Sequence, residues 1–132
     1  MIATPAALVG VLALAALPAA AAELRCPPRV PGPHPGFAQA GPVPTAHWLL
    51  RRMRLFDTPQ GGGTARELAP ADRAEDQGGL TLTWHFAGTE TLLMICTYNG
   101  SSTNYWARPR PLPASCTMRS DNGPRQAWCE VP

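Results

Sequence analysis

The feature that most limits what this chain can fold into is a regular alternation of apolar and polar residues from Leu80 to Phe86. Leucine, tryptophan and phenylalanine occupy every second position, and threonine and histidine lie between them. This period of two is typical of a β-strand with one buried face and one solvated face. A second strand is predicted over Thr91–Tyr98, where apolar residues on both faces are typical of a central strand that is covered on each side.

Turn signals divide this region into three predicted strands. Residues 87–90 contain one glycine and have a length that is common in hairpin connections. Asn99-Gly100 is one of the strongest short hairpin signals, and it leads into a third predicted strand over Thr103–Trp106. Residues 80–106 therefore predict an antiparallel meander.

The first 22 residues carry no charged side chain. An apolar segment from Ala6 to Leu17 is followed by Pro18 and then by four alanines that end at Ala22. This order is typical of a secretory signal peptide that is cleaved after Ala22. The apolar segment is also short for a bilayer span. We therefore predict a signal peptide over residues 1–22, a periplasmic or secreted location, and no stable membrane span after cleavage.

Composition argues against several other classes of protein. The formal net charge is +2, spread over the chain, which is far from the basic footprint of a nucleic-acid-binding protein. No pair of cysteines has the C-x-x-C spacing, and the three histidines are scattered. Neither a metal site nor a cofactor is therefore predicted.

Four cysteines in a small exported chain predict two disulfide bonds. Asn122-Gly123 lies midway between Cys116 and Cys129, so a hairpin with a four-residue loop centred there would place these two cysteines directly opposite each other. This argument favours Cys116–Cys129 together with Cys26–Cys96. The alternative is Cys96–Cys116 with Cys26–Cys129.

Proline dominates residues 23–46, which precede the predicted disulfide-stapled β domain at residues 47–132. Such a segment cannot hold a helix, and we expect it to extend along the domain. His47–Asp57 predicts a strand with imperfect alternation, in which Leu49, Met53 and Leu55 share one face. The three arginines of this strand are expected on a solvated edge face.

Residues 58–79 are polar and predict a surface excursion, in which Thr64–Ala69 could form one helical turn capped by Thr64 and Glu67. Two more strands are predicted near Cys116 and over Arg125–Val131. The four tryptophans fall on separate strands and are expected to share a core, with exposed stacking platforms for sugar or peptide as the alternative. The predicted fold is mainly β, a small antiparallel sheet, sandwich or partial barrel of five to six strands.

Several short motifs occur in a fixed order. They are Cys26-Pro27, Leu55-Phe56-Asp57-Thr58-Pro59, Leu68-Ala69-Pro70, Trp84, Cys96-Thr97-Tyr98, and Leu112-Pro113 with Cys116. This order resembles a family of small exported bacterial proteins of unknown function, which is known only by a locus-style label. The family carries a Cys-Pro start, a Leu/Val-Phe-Asp-Gly-x-Pro segment, a Leu-x-Pro, a lone Trp and a Cys-x-Tyr-Gly. This chain has Thr58 where the family tends to have glycine, and Asn99 precedes Gly100 as an insertion. The resemblance implies export and carries no assigned activity.

The sequence favours a non-catalytic binding or inhibitory protein of the periplasm, with an envelope protein or a cell-wall ligand as its partner. Catalysis by side chains needs a nucleophile with a base and an orienting acid, and no such set is predicted. An envelope-associated structural protein is one alternative, which a large exposed apolar patch would support. A hydrolase is another, and it would require a pocket that holds His85 or His47 beside a carboxylate.

The predicted binding surface is the loop after the second strand, because it projects from the meander. Its residues are Asn99, Gly100, Ser101, Ser102, Asn104 and Tyr105.

Overall fold

The computed structural model describes residues 22–132, which form two antiparallel β-sheets and no helix. No part of this range is a helix that is long and apolar enough to cross a membrane. The predicted signal peptide lies outside the described residues except for Ala22, which pairs with Val131. The predicted class, a mainly β protein with a partial barrel and two disulfides, is confirmed. The described residues form eleven strands, which is more than the five to six predicted.

The first sheet has five strands. In spatial order they are β1 (Ala22–Arg25), β11 (Gln126–Val131), β10 (Ser115–Asp121), β7 (Gly79–Trp84) and β6 (Asp72–Asp76).

The second sheet has six strands and forms the half-barrel. In spatial order they are β2 (Arg29–Val30), β4 (Trp48–Asp57), β8 (Leu92–Tyr98), β9 (Asn104–Ala107) and β3 (Ala38–Ala40), and β5 (Arg66–Glu67) pairs with the end of β4.

The core combines side chains from the inner sides of both sheets. The second sheet contributes Leu50, Met53, Leu55, Leu92, Met94 and Tyr98, and the first contributes Trp84, Met118 and Ala127. Cys26–Cys96 joins the N-terminal segment to β8, and Cys116–Cys129 joins β10 to β11 across a Cα–Cα distance of 4.0 Å. Both pairings agree with the favoured prediction, and residues 122–125 form the expected four-residue loop between β10 and β11.

The predicted meander is correct for β8 and β9 but wrong for β7 and β8. β7 pairs with β10 and β6, while β8 pairs with β4 and β9, so the residues between them cross from one sheet to the other. The buried carboxylate of Asp57 fixes this crossing, since its Oδ1 accepts hydrogen bonds from the backbone N–H groups of Glu90 (3.1 Å) and Thr91 (3.4 Å). Alternation identifies the buried face of a strand but not the strand beside it.

A β-bulge corrects the predicted faces of β4. The register with β8 shifts between Leu50 and Arg52, so Leu50 joins Met53 and Leu55 in the core, while Leu49 is 50% exposed. An extra residue at a bulge moves the following side chains to the opposite face. β4 is also not an edge strand, because β8 pairs along it and β2 and β5 pair at its two ends.

The predicted helical turn over Thr64–Ala69 is wrong, because this segment pairs with the second sheet. Arg66–Glu67 is the strand β5, and the N–H of Leu68 donates to the carbonyl of Leu55 at 2.8 Å. The acidic run that follows is β6, an edge strand of the first sheet rather than a loop. Pairing with existing strands therefore overrides the weak local capping signal.

The proline-rich segment is extended, as predicted, but it is more than a tether. It supplies β1 to the first sheet and β2 and β3 to the second, so it links the two sheets before β4 begins.

Candidate binding surface

The predicted binding loop is only partly at the surface. Asn99, Gly100 and Ser102 are exposed, and Ser101 and Asn104 are half-buried. Tyr105 is 2% exposed, stacks on His34 with ring centroids 4.6 Å apart, and meets Tyr98 edge to face at 5.9 Å. The assignment of Tyr105 to a binding surface is therefore wrong, because it lies opposite Cys96 in the register and points into the core.

Contacts within this loop serve the fold. Gly100 has φ +73°, and a Cβ atom there would lie 2.5 Å from the ring of Trp48. The hydroxyl of Thr103, which is 1% exposed, donates to the carbonyl of Pro42. The loop is thus held against β4 and the segment that follows β3, while Asn99, Gly100 and Ser102 remain exposed.

The motifs that carry the family resemblance contact one another in pairs. Cys26 is bonded to Cys96, and the hydroxyl of Tyr98 donates to the carbonyl of Pro27 at 2.7 Å. Burial raises the pKa of Tyr98 above its ordinary range, and neighbouring Tyr105 adds to this effect. Likewise, Nε1 of Trp84 donates to the carbonyl of Leu68 at 3.1 Å. These residues therefore hold the fold together.

The outward side of the second sheet is a different kind of surface. Along β8, Leu92, Met94, Cys96 and Tyr98 are at most 2% exposed, while the three residues between them are half-buried. The predicted cover on both sides of this strand is therefore absent on its outward side within residues 22–132. We call this side the outer face. It comprises Arg52, Arg54, Phe56, Leu93, Ile95, Thr97, Asn104 and Trp106, as the register of β4, β8 and β9 places them.

A shallow apolar groove crosses the outer face. Its volume is about 280 Å³, and it is lined by Ala40, Leu93, Ile95, Asn104, Trp106 and Arg108. The guanidinium of Arg108 lies 5.4 Å from the ring centroid of Trp106, and that of Arg54 lies 5.0 Å from Phe56. Such cation–π contacts hold the charged groups beside the apolar surface.

Charge is divided between the two sheets. The strands of the first sheet carry six carboxylates and three arginines, a balance of −3, whereas those of the second carry five arginines and two carboxylates, a balance of +3. On the outer face, Arg54 pairs with Glu67 at 2.6 Å, and this hydrogen-bonded contact holds the pKa of Glu67 below its usual range. Arg52 and Arg108 add positive charge there without an ion pair to any described residue.

No match is found when this chain is compared with known protein families, with curated proteins and with solved structures.

Tryptophan is distributed over both sheets rather than gathered in one core. Trp84 is buried at 4% exposure and Trp48 packs against the same core, but Trp106 and Trp128 are half-buried outside it, so the predicted shared core is correct for only two of the four. Trp128 lies on the outward side of the first sheet, where the guanidinium of Arg25 is 4.7 Å from its ring. It resembles Trp106 in being half-buried and in its contact with an arginine.

The histidine–carboxylate pair that a hydrolase would require is only partly present. Nε2 of His85 lies 3.3 Å from Oδ2 of Asp72, but the two side chains are 55% and 71% exposed at the edge of the first sheet. Groups that are this open to water lack the enclosed, fixed setting on which proton transfer in an active site depends. Among the described residues, no group of three potential metal ligands comes together.

Sequence reasoning missed the groove because β8 is apolar on both faces. Along Leu92–Tyr98, the inward side chains are covered by the core, whereas the outward side chains are half-buried. A sequence pattern with a period of two does not show this difference when both faces are apolar. A usable signal was present in Trp106 and Arg108, since residues two apart on an extended chain point to the same side.

Proposed function

We propose that this protein is an exported, non-catalytic binding protein and that the outer face of its second sheet contacts the partner. The observation that carries this proposal is the groove of Leu93, Ile95 and Trp106 with Arg108 at its rim. A contiguous apolar patch that is exposed and rimmed by polar groups is typical of a protein–protein interaction site or a ligand-binding groove. Tryptophan and arginine are also the residues that most often dominate binding energy.

The rigidity of the surface supports the same role. β8 lies between β4 and β9, and Cys26–Cys96 ties its middle to the N-terminal segment. A surface that is already ordered loses little conformational entropy when a partner binds.

Export is supported by the charge-free, apolar start of the chain together with the two disulfides. Disulfides persist in oxidising compartments such as the bacterial periplasm and are rare in the cytosol.

The side chains of the outer face favour binding over catalysis. The guanidinium groups stay protonated at all ordinary pH values and cannot act as bases. The hydroxyl of Thr97 donates to the carbonyl of Arg52 at 3.3 Å, so it already has a partner. What this face offers is apolar contact, positive charge and hydrogen-bond donors.

A matched pair of variants tests the proposal. The mature protein is immobilised and exposed to solubilised envelope proteins and to soluble peptidoglycan fragments. The Trp106→Ala variant should bind the retained material at least about tenfold more weakly than the wild type does. This corresponds to a loss of about 1.4 kcal/mol in the free energy of binding. Trp128→Ala removes an equally half-buried, arginine-covered tryptophan and should leave retention unchanged. Equal losses with both variants, or no loss with Trp106→Ala, would refute the outer face as the binding surface.

A further inference from the structure

We propose that the groove and the adjoining strand β3 receive an extended acidic segment of a partner protein, which adds to the second sheet as a further strand beside β3. This inference rests on the proposed function, because it names the partner for the same surface.

The free edges of the two sheets differ in how they are protected. Charged side chains and very short strands discourage the addition of another strand. Charge is present at β1 (Glu23 and Arg25), at β6 (four charged residues), and at the two-residue strands β2 (Arg29) and β5 (Arg66 and Glu67). β3 is also short, with three residues, but it differs from these strands in that Ala38-Gln39-Ala40 carries no charge and its residues are exposed or half-exposed.

The groove lies next to this uncharged edge. β3 pairs with β9 on one side only, with Ala38 opposite Trp106 and Ala40 opposite Asn104. Residues that are directly opposite each other point to the same face, so the two alanines lie on the outer face beside the tryptophan. Their small side chains keep this side of the groove open. An added strand would lie about 4.8 Å beyond β3, and every second side chain would point to the outer face beside the groove.

The positive charge beside the groove favours an added strand that carries acidic residues. Arg108 lines the groove, and it forms no ion pair with any described residue. A segment that alternates Asp or Glu with apolar residues carries all of its carboxylates on one face. With that face on the outer side of the sheet, the carboxylates would lie near the guanidinium of Arg108. Its backbone would supply hydrogen bonds to β3, as in other cases of strand addition.

Capped octapeptides provide the probe. An alternating Glu–Val peptide should bind the mature protein, and an alternating Lys–Val peptide should bind at least about tenfold more weakly. Arg108→Glu should reverse this preference. Trp106→Ala should weaken binding of the Glu–Val peptide, and Trp128→Ala should not.

N-methylation of the peptide distinguishes strand addition from contact through side chains alone. The N–H groups of an extended strand point alternately to its two edges, so methylating alternate residues blocks one edge only. Of the two Glu–Val peptides methylated in alternate registers, one should lose binding at least about tenfold, and the other should keep it.

Each contrary result overturns a defined statement. If the Glu–Val peptide does not bind, if Lys–Val binds equally well, or if both methylated registers behave alike, strand addition of an acidic segment is wrong. If the envelope or peptidoglycan material still depends on Trp106 in that case, the proposed function stands without this partner. If nothing that binds depends on Trp106, the proposed function fails as well.

Discussion

Trp84 and Tyr98 are buried aromatic side chains that each give their one polar hydrogen to a backbone carbonyl. Trp84 is 4% exposed and bonds the carbonyl of Leu68, which ties β7 of the first sheet to the segment leaving β5. Tyr98 is 2% exposed and bonds the carbonyl of Pro27, next to the Cys26–Cys96 bridge. Both residues join parts of the chain that are distant in sequence.

Trp84→Ala should lower the free energy of unfolding by about 3–5 kcal/mol, because the substitution removes apolar contact and leaves a cavity. It also leaves the carbonyl of Leu68 without its donor. Urea unfolding monitored by circular dichroism measures the change. Thr83→Ala, on the opposite face of the same strand, is the control and should cost much less. A Trp84→Ala protein with an unchanged midpoint would mean that Trp84 does not stabilise the core.

Because of Tyr98, we expect the free energy of unfolding to depend on pH in the alkaline range. Burial raises the pKa of Tyr98 in the folded state, whereas a tyrosine in the unfolded chain titrates at about pH 10. The stabilisation is therefore complete below pH 10 and is lost as the pH rises further, since only the unfolded state then releases the proton. Unfolding free energies of the wild type should fall more steeply above about pH 9.5 than those of Tyr98→Phe.

Tyr98→Phe should itself cost about 0.5–1.5 kcal/mol at neutral pH through loss of the bond to Pro27. All four cysteines are paired, so no free thiol is present to start disulfide exchange at high pH. Parallel pH profiles for the two proteins would contradict the assignment to Tyr98.

At the scale of elements, the two disulfides constrain the chain very differently. Cys116–Cys129 closes a loop with a sequence separation of 13 between strands that are already neighbours, whereas Cys26–Cys96 spans 70 residues and joins the N-terminal segment to β8. The entropy that a cross-link removes from the unfolded chain grows with loop length.

Replacing each pair of cysteines by alanine should therefore cost different amounts. The chain-entropy relation gives about 3 kcal/mol for the short loop and about 4.5 kcal/mol for the long one. Chemical denaturation of the two double variants measures the difference, and both remove buried sulfur atoms from the same core. Equal costs, or a larger cost for the Cys116 and Cys129 variant, would show that loop closure does not govern these bridges.

Sequence reasoning succeeded where a local pattern specifies a local structure. The β8–β9 hairpin follows from Asn99-Gly100, and the Cys116–Cys129 pairing follows from the symmetry of its loop. It failed where the partner is distant, since nothing near β7 indicates that β10 and β6 lie beside it. The bulge at Arg51 also depends on the register with β8, and it decides which leucine of β4 is buried.

The candidate site could be predicted only in part for the same reason. Polarity and turn position indicated the loop at Asn99–Asn104, but polarity does not show that Tyr105 points inward. The groove is assembled from β3, β8 and β9, and the residues that line it become neighbours only through the order of the strands.

At the scale of the whole molecule, the strands of the two sheets carry opposite net charges. The strands of the first sheet carry a balance of −3, and its outward side includes threonines of β7 and β10, whereas the strands of the second carry +3 around an apolar groove. In the proposed function, this division would orient the molecule toward its partner by charge, and apolar contact would then stabilise the complex. The small net charge of +2 conceals it.

Photo-cross-linking in cells that produce the protein tests this account most directly. A photoreactive side chain is placed at Thr97 on the outer face of the second sheet or at Thr117 on the outward side of the first, both half-buried threonines on interior strands. Covalent adducts should form from position 97 and be largely absent from position 117. Adducts of equal yield from both positions, from position 117 alone, or from neither would contradict the assignment of the outer face as the binding surface.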